Sequence, residues 1–255
     1  MLSPIFTIAR FTILEAMRNR LSWLFLIVVL SGMAVSGFLK ELALTESADI
    51  QLTVFAAYFR CALVFVVAVF VVTSVARDFN DKGVELLLAL AMSRSVYLFG
   101  KLFGFLILAL LPIVLFSGLL VLFTSVERSL LWSLSLLFEV WIVCAFALLC
   151  ALSFPQVMIA LSATMGFYVM SRSISSLLLI AHESQNDASF SQYVVAGLVR
   201  VLSAILPHLD RFAATDSLVY ELMSAPQIAN LVAQTGLYLT LLISAALFDF
   251  HRKNL

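Results

Sequence analysis

Long apolar runs separated by short polar breaks dominate this chain. Six of them, about 21–39, 52–76, 98–124, 129–154, 156–181 and 226–250, approach or exceed the roughly 20 residues a helix needs to cross a hydrocarbon core. The runs are continuously apolar, not alternating, which predicts helices and excludes a β-barrel. In lipid a helix closes its backbone hydrogen bonds within its own segment. The first run is not a signal peptide, because it follows other structure and lacks a cleavage-like ending. The fourth and fifth runs meet at Ser153-Phe154-Pro155-Gln156, which carries no charge. Pro155 marks a turn there; a five-span chain with one long bent helix is the alternative.

Three stretches are amphipathic without being spans. In residues 4–19, Ile5, Phe6, Ala9, Ile13, Ala16 and Met17 share one side of a helical wheel. Thr7, Arg10, Glu15, Arg18 and Asn19 gather elsewhere, with Phe11 and Leu14 interrupting the polar face. This predicts a helix lying in the membrane interface, its end anchored by Arg18 and Arg20. The stretch 77–101, RDFNDKGVELLLALAMSRSVYLFGK, concentrates charge between two apolar runs. Asn80 or Asp81 is placed to cap a helix over about 82–92, with acidic residues near its positive end. Val84, Leu87, Leu88 and Ala91 form an i, i+3, i+4, i+7 stripe that needs a partner, either the underside of the bundle or another protein. Ser93-Arg94-Ser95 turns the chain, and Lys101 anchors the start of the third span. Residues 182–225 are the longest non-spanning part. Within it, 193–207 is too short and interrupted to cross and reads as interfacial or re-entrant. Pro207 ends that piece, and another amphipathic piece follows. Such half-buried helices before the last span could cap a pathway, contact lipid or form a structural lid.

Composition agrees with this pattern. The 255 residues are 63% hydrophobic and 12% charged, with a mean hydropathy of +1.11, whereas a soluble domain is about a quarter charged. With the N-terminus inside, Arg10, Arg18, Arg20, Arg77, Lys82, Arg94, Lys101, Arg252 and Lys253 face the cytoplasm. Only Lys40, Arg128, Arg200 and Arg211 face outward, as the positive-inside rule requires for six spans with both ends inside. No Lys/Arg tract points to nucleic acid. Cys61, Cys144 and Cys150 lie in apolar runs without a metal-ligand spacing to histidine, and read as packing. The expected fold is all-α: an interfacial helix over 1–20 and a six-helix transmembrane domain over 21–255, with a cytoplasmic loop at 77–98 and an outer segment at 182–225.

Three charged residues lie away from the ends of the spans and need explaining: Arg60, Glu139 and Arg172. Charges there are costly and usually face the bundle interior or a pathway. Arg60, in the outer third of its span, is placed to snorkel. Glu139 and Arg172 lie deep in neighbouring spans, where they pair or contact substrate. Small residues recur at Ser31, Gly32, Ala34, Ser36 and Gly37, at Gly104, Ser117 and Gly118, and at Ser162, Ala163 and Gly166; such residues let helices approach closely. There is no soluble catalytic domain, Walker-type phosphate loop or zinc motif.

The chain resembles ABC-2 type permeases, specifically the six-span family that includes multicopper enzyme maturation permeases. Three parts carry the resemblance. IARFTILEAMRNR is similar to the family's N-terminal elbow helix. RDFNDKGVELLLALAMSRSVYLFGK resembles its coupling region, and AILPHLDRFAATDSLVY its outer segment before the last span. The resemblance implies a homodimeric export permease in a bacterial inner membrane, each subunit receiving a separate ATPase. That partner would bind ATP and Mg; this chain would hold no cofactor and perform no covalent chemistry. Asp81, Lys82, Glu85 and Arg94 would be polar docking contacts, with Leu87 and Leu88 packing against the permease or the ATPase. The chain departs from the family at Ala91-Met92, where a proline usually stiffens the turn before Ser93-Arg94. A secondary transporter and a membrane assembly scaffold are the competing readings.

Overall fold

The computed structural model describes residues 2–19, 21–42, 47–81, 93–183, 190–219 and 223–252. These residues are almost entirely helical, without strands. The helices run α1 Leu2–Arg18, α2 Leu21–Leu42, α3 Ser47–Asn80, α4 Arg94–Leu120, α5 Val126–Ser153, α6 Val157–Glu183 and α7 Phe190–Ile205. A 3-10 turn at Leu209–Arg211, the short α8 Asp216–Val219 and the long α9 Ala225–Arg252 follow. Among the described residues five helices are long and apolar enough to cross a membrane, namely α3, α4, α5, α6 and α9. The described apolar part of α2 is shorter, Trp23–Val35.

The uncharged break at 153–156 is a turn between two helices. Phe154 is extended (φ −100°, ψ 133°), and its amide closes α5 on the Cys150 carbonyl. The helices on either side pack against each other as a hairpin, which excludes one long bent helix. Helix α5 is the centre of the bundle and touches α3, α4, α6 and α9. Its Trp132, Leu136, Val140, Cys144 and Ala147 are fully buried. Phe116 of α4 stacks on Phe59 of α3 with ring centroids 3.6 Å apart and meets Trp132 at 5.9 Å.

Helix α1 forms where the interfacial helix is expected, but its inner face is rotated. Ile8, Ala9, Thr12 and Ala16 are buried, while Phe6, Phe11, Leu14 and Met17 are exposed. The apolar residues that spoil a polar face on the wheel therefore have a place: they point away from the bundle, where lipid would lie. The rotation follows from the partner surface. A Cβ on Gly100 of α4 would sit 2.7 Å from Ile8 Cβ, and one on Gly104 would sit 2.7 Å from Thr12 Cβ. The Gly-x-x-x-Gly spacing opens a flat strip on α4, and α1 lies directly on it.

The expected loop at 77–98 is shorter than its sequence range. Arg77–Asn80 belong to α3, and the Asp81 amide still bonds back to the Arg77 carbonyl at 2.9 Å. Arg94–Leu98 belong to α4. These residues stay helical because the side chains of Arg77, Asp78 and Arg94 find partners in the bundle. The expected helix over 82–92, and with it Lys82, Glu85, Leu87 and Leu88, lies outside the described residues.

The close α1–α4 crossing makes a paired prediction. Gly104→Leu should lower the unfolding midpoint in detergent, at a cost of about 1–3 kcal/mol. Gly118→Leu in the same helix should be nearly neutral, because nothing lies within 4 Å of its Cβ position. Equal midpoints for the two variants would refute the crossing.

Candidate functional site

Polar groups gather at two places in this apolar bundle. The first surrounds the turn after α7. Trp132, Ser135 and Glu139 stand at i, i+3 and i+7 on α5, so one helix face presents all three. The segment 209–213 descends against that face, and Leu209, Phe212 and Ala213 are fully buried. Irregular backbone at such depth needs a protein partner for each polar group. Arg172 of α6 donates from Nη1 to the carbonyls of Leu209 (2.8 Å) and Phe212 (3.2 Å). Arg60 of α3 donates to the Ala213 carbonyl at 2.7 Å, and Trp132 Nε1 donates to the same oxygen at 3.1 Å. The Ala213 amide donates to Ser135 Oγ at 2.9 Å. Ala213 has φ 44°, a left-handed conformation that costs an L-residue about 1–2 kcal/mol. These three side-chain bonds hold it there.

Glu139 completes the cluster. Its Oε1 lies 3.0 Å from Arg172 Nη1, and the carboxylate is wholly buried. The two residues therefore pair across the α5–α6 hairpin. Arg60 does not snorkel: it is 8% exposed and turned inward onto the 209–213 turn. Two guanidiniums against one carboxylate leave an excess positive charge, which the backbone carbonyls solvate. The arrangement clamps backbone; it presents no activated nucleophile.

The second gathering joins α1, α3 and α4 below the apolar core. Lys101 is 5% exposed. Its Nζ lies 2.9 Å from Asp78 Oδ2 and 3.2 Å from Glu15 Oε2, and it donates to Ser74 Oγ at 3.0 Å. The Ser74 hydroxyl in turn donates to Glu15 Oε2 at 2.9 Å, and Tyr97 donates to Asp78 Oδ2 at 2.7 Å. Arg77 stands 3.7 Å from Glu15 Oε1. One ammonium and one guanidinium thus face two carboxylates, a neutral set. A buried ammonium without such partners would be strongly unfavourable.

Of the expected docking residues, Asp81 is exposed at the end of α3. Arg94 is engaged within the bundle: it donates to the Phe250 and His251 carbonyls at 2.7 and 3.3 Å and lies 5.7 Å from the Phe250 ring centroid. It closes the carbonyl end of α9, where a cation also complements the helix dipole. The Lys101 network went unread in the sequence. Its one signal was a lysine a full turn inside an apolar helix, which needs a counter-charge from somewhere. Among the described residues no group of three or more His, Cys, Asp or Glu side chains is placed to hold a metal.

No family model and no curated protein matches the chain.

The Glu139–Arg172 pair should show strong coupling. Arg172→Met leaves a buried carboxylate unpaired and should cost about 3–5 kcal/mol. Adding Glu139→Leu should recover part of that loss, so the double variant falls well short of the summed single costs. Additive losses in a denaturation cycle would disprove the coupling.

Proposed function

We propose that this chain is the permease subunit of an ABC-2 type exporter, driven by a separate ATPase that docks on the loop between α3 and α4. The observation that carries this reading is how the two stems of that loop are held. Asp78, near the end of α3, and Tyr97 and Lys101, near the start of α4, share one buried network with Glu15 of α1. Arg94 fastens the start of α4 to the end of α9. A force applied to the loop therefore meets four helices already joined, which suits a part that passes motion into a bundle.

Helix α2, of 22 residues, is the sixth span, and α1 is the elbow helix before it. Both termini lie on the cytoplasmic face of a bacterial inner membrane, where the excess Lys and Arg fall. Two copies form the permease, each receiving one ATPase. ATP and Mg belong to that partner. Residues 81–92 form the coupling element, with Asp81, Lys82 and Glu85 as its polar contacts and Leu87 and Leu88 as its packing face. Arg94 is removed from the contact set, because its guanidinium closes α9.

The test is co-purification. The tagged chain from native membranes should carry a stoichiometric ATPase with vanadate-sensitive hydrolysis. Replacing Asp81, Lys82 and Glu85 with alanine should remove that ATPase while the chain still inserts. Arg94 is left intact so that loss of binding is not confused with loss of fold. Full retention of the ATPase by the triple variant would reject the docking site. Absence of any ATPase from the wild-type preparation would reject the exporter reading.

A further inference from the structure

A groove of about 400 Å³ opens on the outer side of the α1–α4 crossing, at the start of α2. Ile13 and Met17 of α1, Phe25 of α2, and Ile107, Leu111 and Leu115 of α4 line it, and its other lining residues are apolar too. Its size falls at the low end of small-molecule sites. The α4 wall from Ile107 to Leu115 covers about 12 Å at 1.5 Å per residue, a narrow slot along a membrane-crossing helix. Among hydrocarbon neighbours such a slot gains nothing from hydrophobic transfer alone, since lipid tails are as apolar as its walls. Any selectivity must come from the rim.

The rim is cationic. Arg10 precedes Ile13 by three residues and Met17 by seven, so it stands on the same face of α1, one turn from the slot. Arg18 follows Met17 directly. Both arginines are exposed, and among the described residues neither has an acidic partner within ion-pair distance. The acid on this helix, Glu15, is turned inward to Lys101 and Arg77. Trp23 is 65% exposed at the start of α2, the residue type that settles at the headgroup level. An apolar slot entering the hydrocarbon, with unpaired arginines and an indole at its mouth, has the chemistry of a phospholipid subsite. We infer that the groove between α1, α2 and α4 holds one acyl chain of an anionic phospholipid, whose headgroup phosphate is bound by Arg10 and Arg18.

Native mass spectrometry of the purified full chain tests this, with phosphatidylglycerol or phosphatidylcholine added to the micelles. The wild type should retain one phosphatidylglycerol per chain in preference to phosphatidylcholine. Arg10→Gln should reduce that preference about fivefold, the usual effect of one surface arginine near anionic lipid. Leu111→Trp, at a residue 46% exposed on the groove wall, should fill the slot and abolish retention of either lipid. Arg10→Gln tests the headgroup contact even where Leu111→Trp fails to fold. Equal retention of the two lipids by the wild type, or an unchanged preference in Arg10→Gln, overturns the inference. So does a lipid-free dimer that Leu111→Trp dissociates, which would assign the slot to a second copy of the chain.

Discussion

Three guanidinium-to-carbonyl bonds and one ion pair hold irregular backbone inside this helix bundle, and the arrangement of its spans is consistent with that requirement. A turn buried at the depth of 209–213 survives only if its carbonyls are satisfied by protein. Arg172 serves Leu209 and Phe212, Arg60 serves Ala213, and Glu139 holds Arg172 in place. These residues come from α3, α5 and α6, so the three helices are brought into register by a segment that belongs to none of them. Replacing Arg172 leaves Glu139 buried without its ion-pair partner and the Leu209 and Phe212 carbonyls without their donor, so the pair and the turn are coupled through that one guanidinium.

Helix α3 connects this clamp to the charged network around Lys101. It runs unbroken from Ser47 to Asn80. Arg60, in its N-terminal half, binds the turn, while Ser74 and Asp78 meet Lys101 near its C-terminal end. The eighteen residues from Arg60 to Asp78 correspond to about 27 Å of helix. A rigid element with a buried polar attachment at each end cannot shift at one without loading the other. The same helix ends at Asn80, next to the expected docking residue Asp81.

Much of this was legible in the sequence, and what was missed has a common cause. The α5–α6 hairpin could be read from Pro155, and the Glu139–Arg172 pair from being the deepest opposite charges in adjacent runs. The two residues stand 16 before and 17 after Pro155, so a turn there places them at equal depth. The acceptors of the arginines were hidden, because they are backbone carbonyls in a segment whose side chains look merely apolar. Lys101 read as an anchor at the membrane edge, since hydropathy shows that a charge is present but not which helices bring it partners. Its partners, Glu15 and Asp78, lie 86 and 23 residues away. The face of α1 was misjudged for the same reason: Gly100 and Gly104, which set its rotation, are on another helix.

The two polar clusters differ in a way that bears on motion. The one around Lys101 is electrically balanced, Lys101 and Arg77 against Glu15 and Asp78, and its groups stabilise one another wherever the helices carry them together. The one around Glu139 is not balanced. Arg60 and Arg172 exceed Glu139 by one positive charge, and the carbonyls of 209–213 supply the remaining solvation. If the turn withdrew, the two guanidiniums would lose those acceptors within an apolar bundle, at the cost of an unsatisfied charged donor. Any conformation without the turn in place must therefore bring other oxygen acceptors to Arg60 and Arg172. The Lys101 cluster is thus suited to travel as a block, whereas the Glu139 cluster ties the position of the turn to what else can reach its arginines.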